Sequence, residues 1–406
     1  MLLGPSGIDY VPGAQVPLGP GRLMNDFSLL IKPSAADCNL RCAYCFYIGR
    51  LARGEPRPRM SDAVLERTIA SYMASRQATS YTFSWQGGEP GLLGLGFFKK
   101  VVKLQMQCAP RGALVCNAFQ TNGTLITDEL AAFLAEYKFL FGVSLDGPAP
   151  LHDHYRRTVD GRPTHALVLK GIERLRQHGV EFNILALVND RTVKQPREIY
   201  GYFKNRGFLH QQYVPCVECD GAGKPLPYSI TGREWGDFLC AIFDRWIEED
   251  VGHVSIRLFD SVLEYLATGK RNACAMGTDC RQYFVVEYDG SVYPCDFFVR
   301  DDLCLGNVGS GSWKEFLESP VYRRFGLAKA GWSDECRACP WLALCHGDCQ
   351  KFRPVLGLAR GKSVLCEGWQ AFYAHALPRL ERIAGAIKEQ GMEASAPAQP
   401  GAGPRG

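Results

Sequence analysis

At 406 residues, 46% of them apolar, with a net charge of +4, the chain can bury a large core, and no Lys/Arg block of the kind that tracks nucleic acid stands out. No apolar run is long enough to span a membrane, and the Gly/Pro-rich start, Met1 to Gly21, lacks the basic-then-apolar order of a secretory signal. Seventeen cysteines, many at CxxC-type spacings, point to metal thiolates rather than disulfides, and so to the cytosol under anaerobic or micro-aerobic conditions.

In chain order, residues 1–25 read as a flexible lead-in and Phe27 to Lys32 as a first strand. Directly after it stands Cys38-x3-Cys42-x2-Cys45, followed by Phe46 and Tyr47. Three thiolates can grip one metal centre but are one short of the four that close a cluster or a structural zinc site, and an open coordination position is where metal chemistry happens. A zinc knuckle or three reduced structural thiols stay open as plainer readings. Ser61 to Gln77 predicts a helix capped by Ser61. Strands are expected at Tyr81 to Trp85, Ala113 to Phe119, Phe139 to Leu145, Phe182 to Val188 and Gln211 to Val214. Helices are expected between them, at Phe97 to Gln107, Asp128 to Tyr137, Thr164 to His178 and Pro196 to Arg206. Six β/α units of this kind build a parallel sheet with helices outside, here an α/β partial (β/α)6 barrel over 26–228. A helical connector (229–272, with helices at Arg233 to Glu249 and Leu258 to Thr268) leads to a cysteine-rich domain, 273–370. A C-terminal helix, Gly368 to Glu389, fills 371–390, and a disordered tail, 391–406, ends the chain.

In parallel β/α architectures the working residues sit at the C-terminal ends of the strands. After the second strand comes Gln86-Gly87-Gly88-Glu89-Pro90, where glycines admit a close backbone approach and a carboxylate can accept from an ammonium group. Gln120-Thr121-Asn122-Gly123 follows the third, and Ser144 to Pro148, then His152-Asp153-His154-Tyr155-Arg156, the fourth. A serine hydroxyl and an arginine fork suit a ribose and a carboxylate; a structural ion pair of Arg156 with Asp153 or Asp146 is the plainer alternative. His152 and His154 read as loop hydrogen-bonders. Downstream, Cys274, Cys280, Cys295, Cys336, Cys339, Cys345, Cys349 and Cys366 suffice for two closed four-cysteine sites, which serve electron transfer, though the Cys336/Cys339 pair also suits a zinc ribbon. Cys108, Cys116, Cys240 and Cys304 read as buried small hydrophobes, and Cys216 and Cys219 form a CxxC with no second pair to complete a site.

The Cys38 to Tyr47 run resembles the signature of the radical S-adenosylmethionine (radical SAM) enzymes, and the Cys280 to Cys366 spacing resembles their SPASM extension. The resemblance implies three 4Fe–4S clusters and bound S-adenosylmethionine. Cys38, Cys42 and Cys45 would hold the open cluster. Cys274, Cys280, Cys295 and Cys349 would hold one auxiliary cluster, and Cys336, Cys339, Cys345 and Cys366 the other. Gly87, Gly88 and Glu89 would meet the methionine end of S-adenosylmethionine, Ser144 and Arg156 would contact it, and Val214 would lie along its adenine. Tyr47 and Gln86 join this ligand-binding set, lining the adjoining peptide pocket.

With Asp296 directly after Cys295, the whole set, spanning roughly Phe27 to Leu380, is similar to the anaerobic sulfatase-maturating enzymes. That likeness implies oxidation of a Cys or Ser in a sulfatase Cys/Ser-x-Pro-x-Arg motif to Cα-formylglycine. In it the 5′-deoxyadenosyl radical takes a β-hydrogen, Asp296 takes the side-chain proton, and the last electron leaves through the auxiliary clusters. The expected partners are an unfolded sulfatase and an electron donor such as flavodoxin or ferredoxin, with the chain itself a monomer and no membrane or nucleic acid involved. Asp348, in Cys345-His346-Gly347-Asp348-Cys349, stands where the family pattern has a second glycine. Two rivals remain at this stage: a maturase that cross-links a ribosomal peptide, and a zinc-stabilised scaffold without activity.

Overall fold

The computed structural model describes residues 8–11, 27–47, 58–75, 80–353 and 361–395; the expected lead-in and tail fall largely outside them. Its strands are β1 (Asp9–Tyr10), β2 (Ser28–Lys32), β3 (Ser80–Trp85), β4 (Leu114–Thr121), β5 (Leu140–Ser144), β6 (Phe182–Val188), β7 (His210–Pro215), β8 (Ser255–Ile256), β9 (Tyr283–Glu287), β10 (Ser291–Tyr293) and β11 (Gly306–Asn307). The six expected strands, β2 to β7, lie side by side in parallel, in chain order. Alternation builds them: in β3 the buried positions are Tyr81, Phe83 and Trp85, with the serines and threonine between them half-buried.

The sheet runs on past both ends of the expected barrel. Short β8 extends it beyond β7, while β9 pairs in parallel with β2 from Ser28↔Tyr283 to Lys32↔Glu287. The cysteine-rich region is therefore joined to the barrel by a backbone ladder. The path ends in the antiparallel strands β10 and β11, so the sheet is open rather than closed.

Helices cover the outer face as expected. Asp62–Ala74 starts at Ser61, whose hydroxyl accepts from the Val64 N–H at 3.3 Å. The His152 to Arg156 motif lies on a short helix that periodicity did not predict, Ala149–Tyr155. The C-terminal helix, Cys366–Ser395, begins two residues earlier than expected and packs on Gly232–Glu249. The two backbones touch at glycine: a Cβ on Gly368 would fall 2.1 Å from the Gly232 carbonyl oxygen. That approach fixes Cys366, the first residue of the helix, relative to the barrel. Among the described residues no helix is long and apolar enough to cross a membrane.

Candidate active site

The parallel order brings the C-terminal ends of β2 to β7 and β9 to one edge, where the loops carrying the cysteine triad and the Gly-Gly-Glu-Pro turn meet. The glycines make room for the protein's own chain, Gly87 for the Lys32 side chain and Gly88 for backbone. Gly87 and Gly88 have φ of +89° and +42°, and a Cβ on Gly88 would stand 1.9 Å from the Asp37 carbonyl oxygen. That same carbonyl accepts from the Glu89 N–H at 2.8 Å, so the turn is docked onto the residue before Cys38.

Glu89 is fully buried. Its Oε1 accepts from the Gly91 N–H and the Thr121 hydroxyl, both at 2.8 Å, and its Oε2 from the Asn122 N–H at 2.7 Å. Burial pushes this carboxyl up to about 7, against the pull of those donors. A carboxylate has room for about four donors, so Oε2 keeps capacity for one more, which fits an incoming ammonium. Asn122 also reaches Cys38, its Nδ2 donating to Sγ at 3.6 Å, and the Leu40 N–H donates to the same sulfur at 3.3 Å. Burial pushes the Cys38 thiol up to about 12 and Cys42 up to about 11, so taking up metal there must release protons.

The fourth strand end resolves the choice left open for Arg156. Its Nε donates to Asp146 Oδ2 at 2.9 Å and its Nη2 to Oδ1 at 3.1 Å, both side chains buried. Asp146 also takes the Tyr44 hydroxyl and the Leu187 N–H, while Asp153 accepts from the Thr164 and His165 N–H groups at the start of the next helix. Arg156 thus spends its fork on a carboxylate and presents its positive charge to Cys42. His152 Nδ1 accepts from the Asp146 N–H at 3.2 Å, placing the proton on Nε2 against Thr164 Oγ1, and burial holds the imidazole neutral with its pKa down at about 3. Ser144 accepts from Gln120, and Val214 is half-buried near the end of β7.

Between this edge and the cysteine-rich region lies a polar group the sequence reading missed. Lys32, the last residue of β2, is wholly buried; its Nζ stands 3.9 Å from Asp296 Oδ2 and 3.8 Å from the Tyr47 ring centroid. The Tyr47 hydroxyl donates to Glu287, which the β2–β9 register sets beside Lys32. Asp296 is buried too, and its Oδ1 accepts from the Tyr283 hydroxyl at 3.0 Å, which also reaches Cys295 Sγ at 3.3 Å. At the rim, Phe46 packs on Phe297, and Lys351 sits 4.3 Å from the Phe297 centroid while pairing with Glu218. Gln86 is half-buried on the same edge.

The seventeen thiols form no disulfide. Cys274 and Cys280 are electrostatic neighbours, Cys349 feels both, and Cys295 feels Cys349. Cys366 is likewise coupled to Cys336, Cys339 and Cys345. Those last four thiols line one small pocket, partly open to solvent, walled by Trp341, Leu342, Trp369 and Tyr373. Among the described residues no three ligating side chains converge on one ion-sized point, whereas a four-iron cluster is wider than an ion and needs its thiolates further apart. The donors aimed at sulfur (Asn122 at Cys38, Gln350 at Cys280, Tyr283 at Cys295) are of the kind that stabilise thiolate-held iron. The residues present therefore fit one open and two closed iron–sulfur sites.

This fold and donor set define a radical SAM enzyme with a SPASM extension. The Radical SAM superfamily model matches residues 33–203, and the iron-sulfur cluster-binding SPASM domain model matches 274–340. The chain is 36% identical, over 91% of its length and 93% of the relative's, to the serine-type anaerobic sulfatase-maturating enzyme of Bacteroides thetaiotaomicron. It is 38% identical to the cysteine-type enzyme of Clostridium perfringens, over 90% of this chain and all of that one. A solved structure of native anSMEcpe with bound AdoMet and Cp18Cys peptide superposes with a TM-score of 0.83 at 38% identity, covering 89% of this chain and 99% of that one. The chain belongs to the anaerobic sulfatase-maturating enzyme family, whose cofactors are S-adenosylmethionine and iron–sulfur clusters.

Proposed function

We propose that this chain oxidises the β-carbon of a cysteine or serine, in a sulfatase Cys/Ser-x-Pro-x-Arg motif, to Cα-formylglycine. The observation that carries it is Asp296: a buried carboxylate bonded to Tyr283, paired with Lys32, and adjacent in sequence to the auxiliary-site thiol Cys295. Cys38, Cys42 and Cys45 would hold the open cluster and the two cysteine quartets the closed ones; Glu89, Ser144, Arg156 and Val214 would line S-adenosylmethionine. When bound, these groups supply a carbon radical that takes one hydrogen atom and clusters that take one electron.

The protein's own task is the proton. The β-carbon loses a hydrogen atom, the side-chain SH or OH loses a proton, and one electron leaves, so a C=S or C=O bond forms in place of C–H and S–H or O–H. Serine gives the aldehyde directly; the thioaldehyde from cysteine adds water and releases hydrogen sulfide. Asp296 receives the proton, at Oδ2, because Oδ1 is engaged by Tyr283. Lys32 stands beside Oδ2 at 3.9 Å, and Glu287 anchors Tyr47 at the pocket wall. A reduced flavodoxin- or ferredoxin-type protein would be the electron donor to the open site held by Cys38, Cys42 and Cys45, and an unfolded sulfatase segment is the peptide partner.

The test is Asp296→Asn in reduced, reconstituted protein given S-adenosylmethionine and a sulfatase peptide. Aldehyde should fall by about 10²–10⁴-fold, the usual weight of a general base, with 5′-deoxyadenosine formation within a few-fold of wild type. Equal loss of both products, or loss of neither, contradicts the assignment.

A further inference from the structure

The two cysteine quartets are linked by one loop, Cys345-His346-Gly347-Asp348-Cys349, whose first cysteine belongs to one quartet and whose last belongs to the other. Its backbone is strained: His346 and Asp348 have φ of +44° and +63°, values side-chain-bearing residues rarely adopt. Two buried cations grip the carbonyls that this conformation turns inward. Lys329 Nζ donates to the carbonyls of Ala275 at 2.9 Å, His346 at 3.1 Å and Asp348. Arg353 donates to those of Gly347 at 2.8 Å, His346 at 2.9 Å and Asp348 at 3.3 Å.

Lys329 has no exposure to solvent. Burial lowers the pKa of this group, but three carbonyl acceptors need three N–H donors, and only the ammonium form has three, so the geometry favours the charged form. The Ala275 carbonyl belongs to the segment that starts at Cys274, so one ammonium ties ligand segments of both quartets together. Its field reaches Cys274, Cys280, Cys345 and Cys349. Asp348 lies opposite it in charge. Its carboxylate accepts from the Cys349 N–H at 2.6 Å and from the Ser363 hydroxyl at 2.7 Å, at the turn that leads into Cys366.

We infer that Lys329 is a redox-positioning residue, a buried ammonium pinned between the two auxiliary iron–sulfur sites that raises the reduction potential of both, with Asp348 as its counterweight. A positive charge in a dry interior favours the more negative, reduced cluster, and a negative charge opposes it. The site would thereby be biased to accept the electron that substrate oxidation releases. The inference rests on assigning the eight cysteines to two clusters, and the iron count tests that assignment separately.

The experiment is a redox titration followed by electron paramagnetic resonance. It uses the full chain, reconstituted without oxygen, with Cys38, Cys42 and Cys45 replaced by Ala so that only the auxiliary clusters report. About eight irons should remain; markedly fewer in this background contradicts the cysteine assignment itself. At the poise where the parent is half reduced, Lys329→Met should lower the reduced-to-oxidised ratio about tenfold, equivalent to about 59 mV for a one-electron couple. Lys329→Arg should stay near the parent, and Asp348→Asn should shift in the opposite direction. An unshifted Lys329→Met with full iron overturns the inference, as does a shift of Met and Asn variants in the same direction, which is what mere loosening would produce. If Lys329→Met fails to hold iron, Asp348→Asn decides: a potential that does not rise overturns the inference.

Discussion

Replacing Gly88 by alanine should empty the first iron site and spare the other two. The added Cβ would lie 1.9 Å from the Asp37 carbonyl oxygen, and since that atom is backbone, no side-chain rotation relieves the clash. The φ of +42° adds a strain of about 1–3 kcal/mol for a residue with a Cβ. Pushing the turn away also breaks the Glu89 N–H to Asp37 hydrogen bond, about 1 kcal/mol more. A total of roughly 2–4 kcal/mol is less than the ~5–15 kcal/mol that holds a typical fold, so the protein should survive while the Asp37–Cys38 backbone moves. Iron analysis after anaerobic reconstitution should fall from about twelve to about eight atoms per chain, with cleavage of S-adenosylmethionine lost. Gly96→Ala is the control. Gly96 lies in the helix Gly94–Cys108 with open space around its Cβ position, and the change should be neutral or stabilising by up to ~1 kcal/mol. Full iron and normal cleavage in Gly88→Ala would refute the reasoning.

Arg156→Lys keeps a charge but cannot make the two-point contact with Asp146, and should cost about 1–3 kcal/mol, read by denaturant unfolding, together with lower iron at the first site. Cys219→Ser should leave iron at about twelve, since Cys216 and Cys219 have no second cysteine pair with which to complete a site. Asp244 joins the C-terminal helix to Gly232–Glu249; burial raises its pKa, but hydrogen bonds from His375 and Arg379 outweigh burial and hold the carboxyl below its ordinary range. A lowered folded pKa contributes stability above the unfolded value of ~3.9, and that stability is lost as pH falls through the folded pKa. Asp244→Asn should therefore cost up to about 1 kcal/mol at pH 7, the side chain being partly exposed, and progressively less as pH falls through the lowered folded pKa, followed by urea titration.

Much of the architecture was legible because it is local. Alternation in Tyr81 to Trp85 and the helical spacing between strands specify β/α units without distant information, and cysteine spacing survives any packing detail. What escaped the reading depends on partners far along the chain. Tyr283 to Glu287 is a five-residue run among cysteine loops, and nothing in it says that it will lie against Ser28 to Lys32, more than 250 residues upstream. The roles of Lys32 and Glu287 follow from that pairing and were missed with it, although a lysine closing an apolar strand just before the cysteine loop was a usable signal. Arg156 had two open readings because its partner is chosen by the turn that brings Asp146 back to it. Asp348 looked like a departure from pattern; its side chain holds Cys349 and Ser363, so the left-handed backbone persists without a second glycine. The glycines of the Gly-Gly-Glu-Pro turn were expected to let backbone approach a ligand; that Gly88 also makes room for the Asp37 carbonyl depends on a loop some fifty residues upstream and was not legible.

The most direct measurement is mass spectrometry of a Cys- or Ser-containing sulfatase peptide after incubation with reduced wild-type protein and S-adenosylmethionine under strict exclusion of oxygen. A peptide aldehyde, trapped by a hydrazide and formed together with 5′-deoxyadenosine, is the predicted result. A peptide that loses hydrogen but gains no carbonyl, or one returned intact while S-adenosylmethionine is consumed, would contradict the account.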